Sequence, residues 1–415
     1  MRPRQVKVLV SAGLALAIGA FGLAAAPSGS AAVKAKPITI WADAAHAPVI
    51  TALLPTGYRG APVIVVPKDM TAIRDELAAV PEASAPDIIW ADATWTGQLA
   101  AAGSVVALPL GKKATASFRA NALSGFQVGT TGYGVPVQVS NLALISNVSL
   151  VPNPPSTFAA LSDIALKLVR AGKAKVAFGA PQGGDSDGYS MYPLFSGLGG
   201  YFFGRTADGT LDPTQVGLAN KTFLQNSTAI DSWNESGLIS AALTAAKARK
   251  TFANGKSPFW LAGPEEIATL LKLSFVYRIT SVPPIVSGIK AAPLLRLQGF
   301  MMTKFAATHG VQDESSKLIR LFFGAAPAQV SLAAASGLIP ANRAAVGQVA
   351  EKRLQAIDLA GADGVAIPNI PQMGAVWAPY GSAWSISTAG VDAKLAKPSF
   401  KVAQRTVEAS LGIVR

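Results

Sequence analysis

The residue types that most often carry out catalysis are scarce in this chain. It holds two histidines, His46 and His309, and no cysteine. Thiol chemistry, disulfides and cysteine-ligated metal centres are therefore excluded. No HExxH zinc motif, phosphate-binding P-loop or dinucleotide-binding glycine fingerprint occurs in the sequence. We expect neither a cofactor nor a metal ion.

One pentapeptide, Gly184-Asp185-Ser186-Asp187-Gly188, fits the G-x-S-x-G pattern of a serine-hydrolase nucleophile elbow. In that elbow the serine lies directly between a strand and a helix. Here residues 181–184 separate the serine from the nearest predicted strand, residues 175–178. The pattern therefore favours an ordinary loop, and an esterase stays an alternative.

Glycosidase chemistry would require two carboxylates on opposite sides of a cleft. Asp187 and Glu265 are conceivable partners for it. A carboxylate in a sugar site more often only binds hydroxyl groups, because its oxygens are hydrogen-bond acceptors. An extracellular glycoside hydrolase is therefore kept as the second alternative.

Composition and charge describe a folded, basic protein. The chain has 415 residues, of which 50% are apolar and 14% charged, and this balance excludes a disordered chain. The length suggests about two domains. Lys and Arg outnumber Asp and Glu by 36 to 23, giving a net charge of +13. The basic residues are scattered and not interleaved with aromatics, so we expect no nucleic-acid partner.

The first 35 residues have the composition of an export signal. Arg2, Arg4 and Lys7 precede the uncharged run 8–26, and the small residues 30–32 follow as a cleavage site. The run is also long enough to cross a bilayer, so cleavage and retention as an anchor both stay open. Without a cysteine the chain cannot be lipid-anchored through one. We expect an extracytoplasmic protein, either secreted or held in a periplasm-like space.

The elements that must position any site alternate between strands and helices. Apolar, β-branched runs bounded by turn residues predict strands at 37–41, 61–66, 87–90, 175–178 and 258–261. Helical spacing and capping residues predict helices at 70–80, 96–102, 158–171, 213–233, 315–323 and 326–335. This alternation predicts an α/β fold with largely parallel sheets.

Several short segments, in the same order along the chain, resemble the maltose/maltodextrin-binding proteins. These belong to extracellular solute-binding protein family 1, the binding components of ABC sugar importers. The most specific segment is Pro-Asn-Ile-Pro-Gln-Met at 368–373, followed by Trp377. The other matching segments are 38–41, 85–89, 95–99, 133–136, 141–147, 152–158, 252–256 and 262–264.

The resemblance implies a two-lobed type II periplasmic-binding-protein fold with hinge crossovers and a ligand cleft between the lobes. It implies an N-terminal lobe of residues 36–139 plus 299–337 and a C-terminal lobe of 140–298 plus 338–415. The implied function is binding of maltose, maltodextrin or a related glucoside, with hinge closure and delivery to the membrane permease of an ABC importer. The implied protein is a monomer and not an enzyme. A binder of a different small solute stays open.

The resemblance also assigns aromatic platforms for the flat faces of a sugar. Trp377 and Tyr189 match stacking residues of the family, and Trp95 stands where relatives have a residue that lines the cleft. From the energetics of aromatic anchors in other binding sites, we expect Trp377→Ala to cost about 1–3 kcal/mol of binding free energy.

Polar ligand contacts are implied at seven further positions. Asp187 matches a carboxylate that binds hydroxyls, and family members often have Glu where Ser140 stands. Glu265 departs from the family, which often has Trp there, and so puts a charged acceptor in place of a stacking platform. The departure indicates a shorter sugar, another linkage or a basic ligand, unless Glu266 is the solvent-exposed one of the two. The seven positions are Asp43, His46, Gln138, Ser140, Asn141, Asp187 and Glu265.

Overall fold

The computed structural model describes residues 35–182, 188–390 and 394–414. The predicted export segment and Asp187 lie outside these ranges. Within them, no single helix is long and apolar enough to cross a membrane, and one bent pair, Gln312–Phe323 with Ala326–Ser336, meets the length and composition criteria only when taken together. No group of His, Asp and Glu side chains in the described ranges could hold a metal ion.

The strands are short and are numbered here in chain order. They are β1 Ile38–Ala42, β2 Val63–Pro67, β3 Ile88–Asp92, β4 Gln127–Val128, β5 Thr131–Gly132, β6 Gly134–Ser140, β7 Ala143–Asn147, β8 Phe178–Gly179, β9 Phe203–Arg205, β10 Leu211–Val216, β11 Phe259–Ala262, β12 Tyr277–Thr280, β13 Leu294–Met302, β14 Ile339–Pro340 and β15 Val365–Ala366.

The helices connect and cover these strands. They are α1 Ala47–Leu53, α2 Met70–Glu76, α3 Thr96–Ala101, α4 Lys112–Ala116, α5 Ala120–Ser124, α6 Phe158–Arg170, α7 Tyr192–Gly197, α8 Lys221–Asn226, α9 Thr228–Glu235, α10 Ala245–Ala253, α11 Ile267–Leu270, α12 Phe305–Thr308, α13 Gln312–Lys317, α14 Ala326–Ser336, α15 Arg343–Gln348, α16 Lys352–Ala360, α17 Trp377–Ser387 and α18 Ala396–Ser410.

The larger sheet has the strand order β14-β6-β13-β3-β1-β2, with β15 pairing with β13. Strands β1, β2 and β3 run parallel, as expected for buried apolar runs linked by helices. Strand β13 is antiparallel to both β3 and β6. The prediction of a largely parallel sheet was therefore wrong, because β13 enters the sheet in the opposite direction.

The second sheet has the order β12-β7-β11-β8 and is also mixed. Strand β7 is antiparallel to β11 and β12, whereas β8 is parallel to β11. Only Asn141 and Leu142 separate β7 from β6, so one short connection links the two sheets. The predicted lobe boundary at 298/299 falls inside β13, which is a continuous strand. The lobe boundaries stay a prediction.

Local sequence signals predict some elements well and fail at one proline. Thr157 caps α6, since its hydroxyl accepts a hydrogen bond from the Ala160 N–H at 3.2 Å. The helix predicted over 213–233 is wrong at its start, whereas α8 and α9 occupy most of its second half. Pro213 lies in strand β10, where the pairing with β9 shifts register between Asp212 and Val216. A residue without an N–H is tolerated there because the ladder is interrupted.

Candidate ligand-binding cleft

A cavity of about 520 Å³ is lined by β6 and β13 of the larger sheet and by β11 of the second sheet. The antiparallel register pairs Ser140 with Arg296 and Gln138 with Gln298. Because alternate residues of a strand project to the same face, these four side chains share one side of the strand pair. All four line the cavity. This size is within the range of pockets that hold small molecules.

Tyr189 lines the cavity from the second sheet's side. It follows Gly188, whose left-handed backbone (φ 81°) starts the turn that carries the tyrosine. The Tyr189 hydroxyl donates a hydrogen bond to the Leu294 carbonyl on β13, at 3.3 Å. The guanidinium of Arg296 lies 4.1 Å from the centre of the Tyr189 ring, a cation–π contact.

The two adjacent glutamates have opposite surroundings. Glu266 is buried and paired with Arg249, whose Nε lies 2.8 Å from both carboxylate oxygens. The hydrogen bond that Arg249 donates to Glu266 raises the pKa of Arg249 above its ordinary value. Glu265 is exposed and accepts a hydrogen bond from the Gly263 N–H at 3.1 Å. The alternative in which Glu266 is the solvent-exposed one is therefore wrong.

Asp43, His46 and Gln138 form a chain of hydrogen bonds that ends at the cavity. His46 Nδ1 lies 2.6 Å from an Asp43 carboxylate oxygen, and its Nε2 lies 3.2 Å from Gln138 Oε1. The imidazole is 5% exposed and stacks on Trp90, 4.2 Å between ring centres. Burial alone would raise the pKa of Asp43, but the hydrogen bonds and charge of His46 outweigh it and hold that pKa below its ordinary value.

Three residues predicted to contact the ligand are not among those that line the cavity. Asn141 is buried, and its amide donates to the Ile357 carbonyl at 2.9 Å. Trp95 is 9% exposed and packs in the core of the larger sheet. Trp377 is half-buried, and its ring meets Phe202 edge-on at 5.5 Å.

The motif that precedes Trp377 ties distant parts of the chain together. The Asn369 side chain donates to the carbonyls of Gly125 and Gln127, at 2.8 and 2.7 Å. The backbone carbonyl of Asn369 accepts a hydrogen bond from the Gly97 N–H at 2.9 Å. A Cβ on Gly97 would lie 2.4 Å from that carbonyl oxygen, so glycine is required for the close approach. Asn369 therefore has a structural role here.

The structure thus brings only part of the predicted set to one place. Ligand contact stays a prediction for every member of that set. Those that line the cavity are Gln138, Ser140, Tyr189 and Glu265, and those that reach it through Gln138 are Asp43 and His46.

The sequence reasoning missed four lining side chains that are charged or carry an amide, namely Asp92, Arg249, Arg296 and Gln298. Arg296 and Gln298 alternate with leucines in Leu-Leu-Arg-Leu-Gln, a polar pattern of period two that marks one solvated face of a strand. Asp92 ends β3, and the carboxyl end of a strand is a common place for a binding residue. Arg249 has no such signal, because only the fold brings it to Glu266.

The chain belongs to the bacterial extracellular solute-binding protein family, whose sequence profile matches residues 56–356. The family resemblance predicted from the sequence is confirmed. One relative, the galactooligosaccharide-binding protein of Bacillus subtilis, is 21% identical over 401 residues, which cover 94% of this chain and 93% of that protein. A maltooligosaccharide ABC transporter solute-binding lipoprotein of Streptococcus pneumoniae is 24% identical over 369 residues, covering 85% of this chain and 84% of that protein.

Solved structures establish the fold. The extracellular solute-binding protein from Staphylococcus aureus, in complex with maltose, matches with a TM-score of 0.79 at 21% identity. A cyclo/maltodextrin-binding protein complexed with maltotetraose matches with a TM-score of 0.78 at 19% identity. Both matches cover 91% of this chain and 98% of the other chain. The predicted type II periplasmic-binding-protein fold is confirmed.

Proposed function

We propose that this protein is the carbohydrate-binding component of an ABC importer. It holds maltose, a maltodextrin or a related glucoside in the cavity between the sheets, closes around it and delivers it to a membrane permease. It acts outside the cytoplasm as a monomer and carries out no chemistry on the sugar. Ligand-driven closure follows when the sugar contacts both sides of the cavity and so favours the closed state.

The observation that carries the proposal is the polar lining of the cavity beside β6 and β13. A sugar offers hydroxyl groups that both donate and accept hydrogen bonds. The lining supplies the complementary groups, among them Ser140 and Gln298 on the larger sheet and Glu265 in the turn that follows β11 of the second sheet. A ligand bound there therefore contacts residues that belong to both sheets or directly follow their strands.

The relatives support the same class of ligand. Two of them are named as binding proteins for galactooligosaccharide and maltooligosaccharide, and the second is named as part of an ABC transporter. The two solved structures were obtained with maltose and maltotetraose. We therefore expect a glucose- or galactose-containing oligosaccharide as the ligand.

A thermal-shift screen tests this function. The panel contains maltose, maltotriose, maltotetraose and galactobiose, with an amino acid and a dipeptide as controls. A ligand that binds only the folded state adds about 2.7 kcal/mol of stability at a concentration of about 100 times its Kd. We expect at least one sugar, and neither control, to raise the Tm.

Chromatography of the recovered sugar separates binding from hydrolysis. We expect the sugar to be recovered intact after long incubation. Release of glucose or galactose would instead support the glycoside hydrolase alternative. A panel in which no sugar raises the Tm would overturn the proposed function.

A further inference from the structure

Arg296 occupies an unusual position among the lining side chains. It projects from β13 beside Ser140, is exposed, and rests on the face of Tyr189 at 4.1 Å. Within the described ranges no carboxylate lies within ion-pairing distance of it, unlike Arg249 and Arg119, which pair with Glu266 and Asp358. Its guanidinium is therefore held in place by an aromatic ring and keeps its hydrogen-bond donors available to the cavity.

Glu265 is its counterpart of opposite charge. It lines the same cavity, is exposed, and has no ion-pair partner in the part of the chain that the structure describes. One carboxylate oxygen accepts from the Gly263 N–H, which fixes the direction of the side chain. The carboxylate retains further acceptor sites for a ligand.

The two groups together restrict the chemistry of the ligand. A guanidinium only donates hydrogen bonds and a carboxylate only accepts them. A hydroxyl group does both, so a polyhydroxyl compound can satisfy Arg296 and Glu265 at once. The fork of N–H groups on an arginine is suited to two neighbouring oxygen atoms.

Two neighbouring oxygen atoms could belong to a vicinal diol or to a carboxylate of the ligand. The net charge of the cavity lining distinguishes these two possibilities. The described lining carries the carboxylates of Asp92, Glu265 and Glu266 and the guanidinium groups of Arg249 and Arg296. Glu266 and Arg249 neutralise each other, which leaves two negative charges against one positive charge. An acidic sugar would be repelled by this excess, so the lining favours a neutral one.

We propose that Arg296 is the specificity-determining residue of this cleft. Seated on Tyr189, it donates hydrogen bonds to two neighbouring hydroxyl oxygens of a neutral sugar, and Glu265 accepts from hydroxyls of the same ligand. Tyr189 then supports the Arg296 side chain and does not itself stack on the sugar. This assignment rests on the proposed carbohydrate-binding function.

Isothermal titration calorimetry of the wild type and two variants tests the assignment. The probes are maltose, galactobiose and a maltose analogue whose non-reducing ring is glucuronate. Arg296→Met removes the donors but keeps an apolar side chain on Tyr189, and Arg296→Lys keeps the charge without the fork. Arg405→Met, at an exposed position on α18, is the matched control.

We expect Arg296→Met to weaken binding of the preferred neutral disaccharide by at least about tenfold, as for loss of charge-assisted hydrogen bonds. Arg296→Lys should lie between this variant and the wild type, and Arg405→Met should equal the wild type. The wild type should bind the glucuronate analogue more weakly than maltose.

Three results would overturn the assignment. Unchanged or tighter binding by Arg296→Met, with sugar binding by the wild type intact, would show that Arg296 only covers the tyrosine. Preference of the wild type for the glucuronate analogue would assign Arg296 to a carboxylate. Failure of the wild type to bind any sugar of the thermal-shift panel would remove the proposed function, and this assignment with it.

Discussion

Two sets of polar side chains at the cavity differ in whether the protein itself uses their hydrogen-bonding groups. Asp43, His46 and Gln138, here termed the closed network, bond to one another and to the surrounding protein. Arg296 and Glu265, here termed the open pair, face the cavity without an ion-pair partner in the described ranges. A polar residue beside a cleft can therefore contact a ligand only when the fold leaves its hydrogen-bonding groups available.

In the closed network, the hydrogen bonds of the Gln138 amide nitrogen determine which way its oxygen faces. Gln138 Nε2 donates to the Leu332 carbonyl at 3.1 Å and to the Ser336 hydroxyl at 2.6 Å. Its oxygen must therefore face His46, which has to donate from Nε2. On the other side of the ring, His46 Nδ1 lies 2.6 Å from the Asp43 carboxylate. We infer that this network stabilises the fold and that the open pair selects the ligand.

Breaking the closed network should have the largest effect on stability. His46→Ala leaves the Gln138 oxygen without a donor and opens a space against Trp90. We expect the free energy of unfolding to fall by about 3 kcal/mol, from the combined cost of an unsatisfied buried group and a cavity. Urea denaturation measures it, with Arg405→Met as the control, which should change stability by less than about 0.5 kcal/mol. A loss below about 1 kcal/mol for His46→Ala would contradict the structural role.

Altering the open pair should lower affinity and leave stability unchanged. Glu265→Gln keeps the shape of the side chain but removes its charge. We expect sugar binding to weaken by about 1 kcal/mol, or roughly fivefold in Kd, as for loss of a charge-assisted hydrogen bond. Titration calorimetry measures the affinity, and Glu235→Gln at the exposed end of α9 is the matched control. Equal affinities of Glu265→Gln and the control would remove Glu265 from the site.

Replacing the second histidine, His309, should have the smallest effect on stability, and this effect should depend on pH. His309 Nδ1 lies 2.8 Å from the carboxylate of Asp87, which is fully buried, and its Nε2 donates to the Glu82 carbonyl at 2.9 Å. Burial alone would lower the pKa of His309, but the hydrogen bonds to Asp87 and Glu82 outweigh it, so the pKa is raised above its ordinary value.

A raised pKa means that the folded state binds the proton of His309 more tightly than the unfolded state does. This stabilisation is fully present below a pH of about 6.5 and is lost as the pH rises through the pKa of the folded state. We expect the stability difference between wild type and His309→Gln to shrink as the pH rises from about 6 to 9. Urea denaturation across this range measures it, and a difference that grows with pH would contradict the assigned ion pair.

The sequence patterns predict the apolar strands and capped helices well, because these depend on neighbours along the chain. Strands β1, β3 and β11 and helix α6 lie where the patterns predict them, to within one or two residues at each end. Two predictions fail: the strand predicted at 175–178 forms only at 178–179, and the place of Pro213 in β10 depends on a register shift against β9. No local signal marks that shift.

The site is harder to predict because hydrogen-bond partners are chosen by the fold. His46 and Asp43 have residue types and positions suited to ligand contact. In the structure, however, His46 forms hydrogen bonds with Asp43 and with Gln138. Asn369, in the most specific motif, binds backbone carbonyls. The sequence marks Arg296 as a polar residue that alternates with leucines. Its contact with the Tyr189 ring could not be predicted, because the two residues lie 107 positions apart in the chain.

A crystal structure of the protein with its preferred neutral disaccharide tests the central claim most directly. We predict that the sugar lies in the cavity beside β6 and β13, with two neighbouring hydroxyl oxygens within about 3.2 Å of the Arg296 guanidinium. Another hydroxyl should donate to Glu265. A sugar bound elsewhere on the protein, or one in this cavity that touches neither Arg296 nor Glu265, would contradict the account.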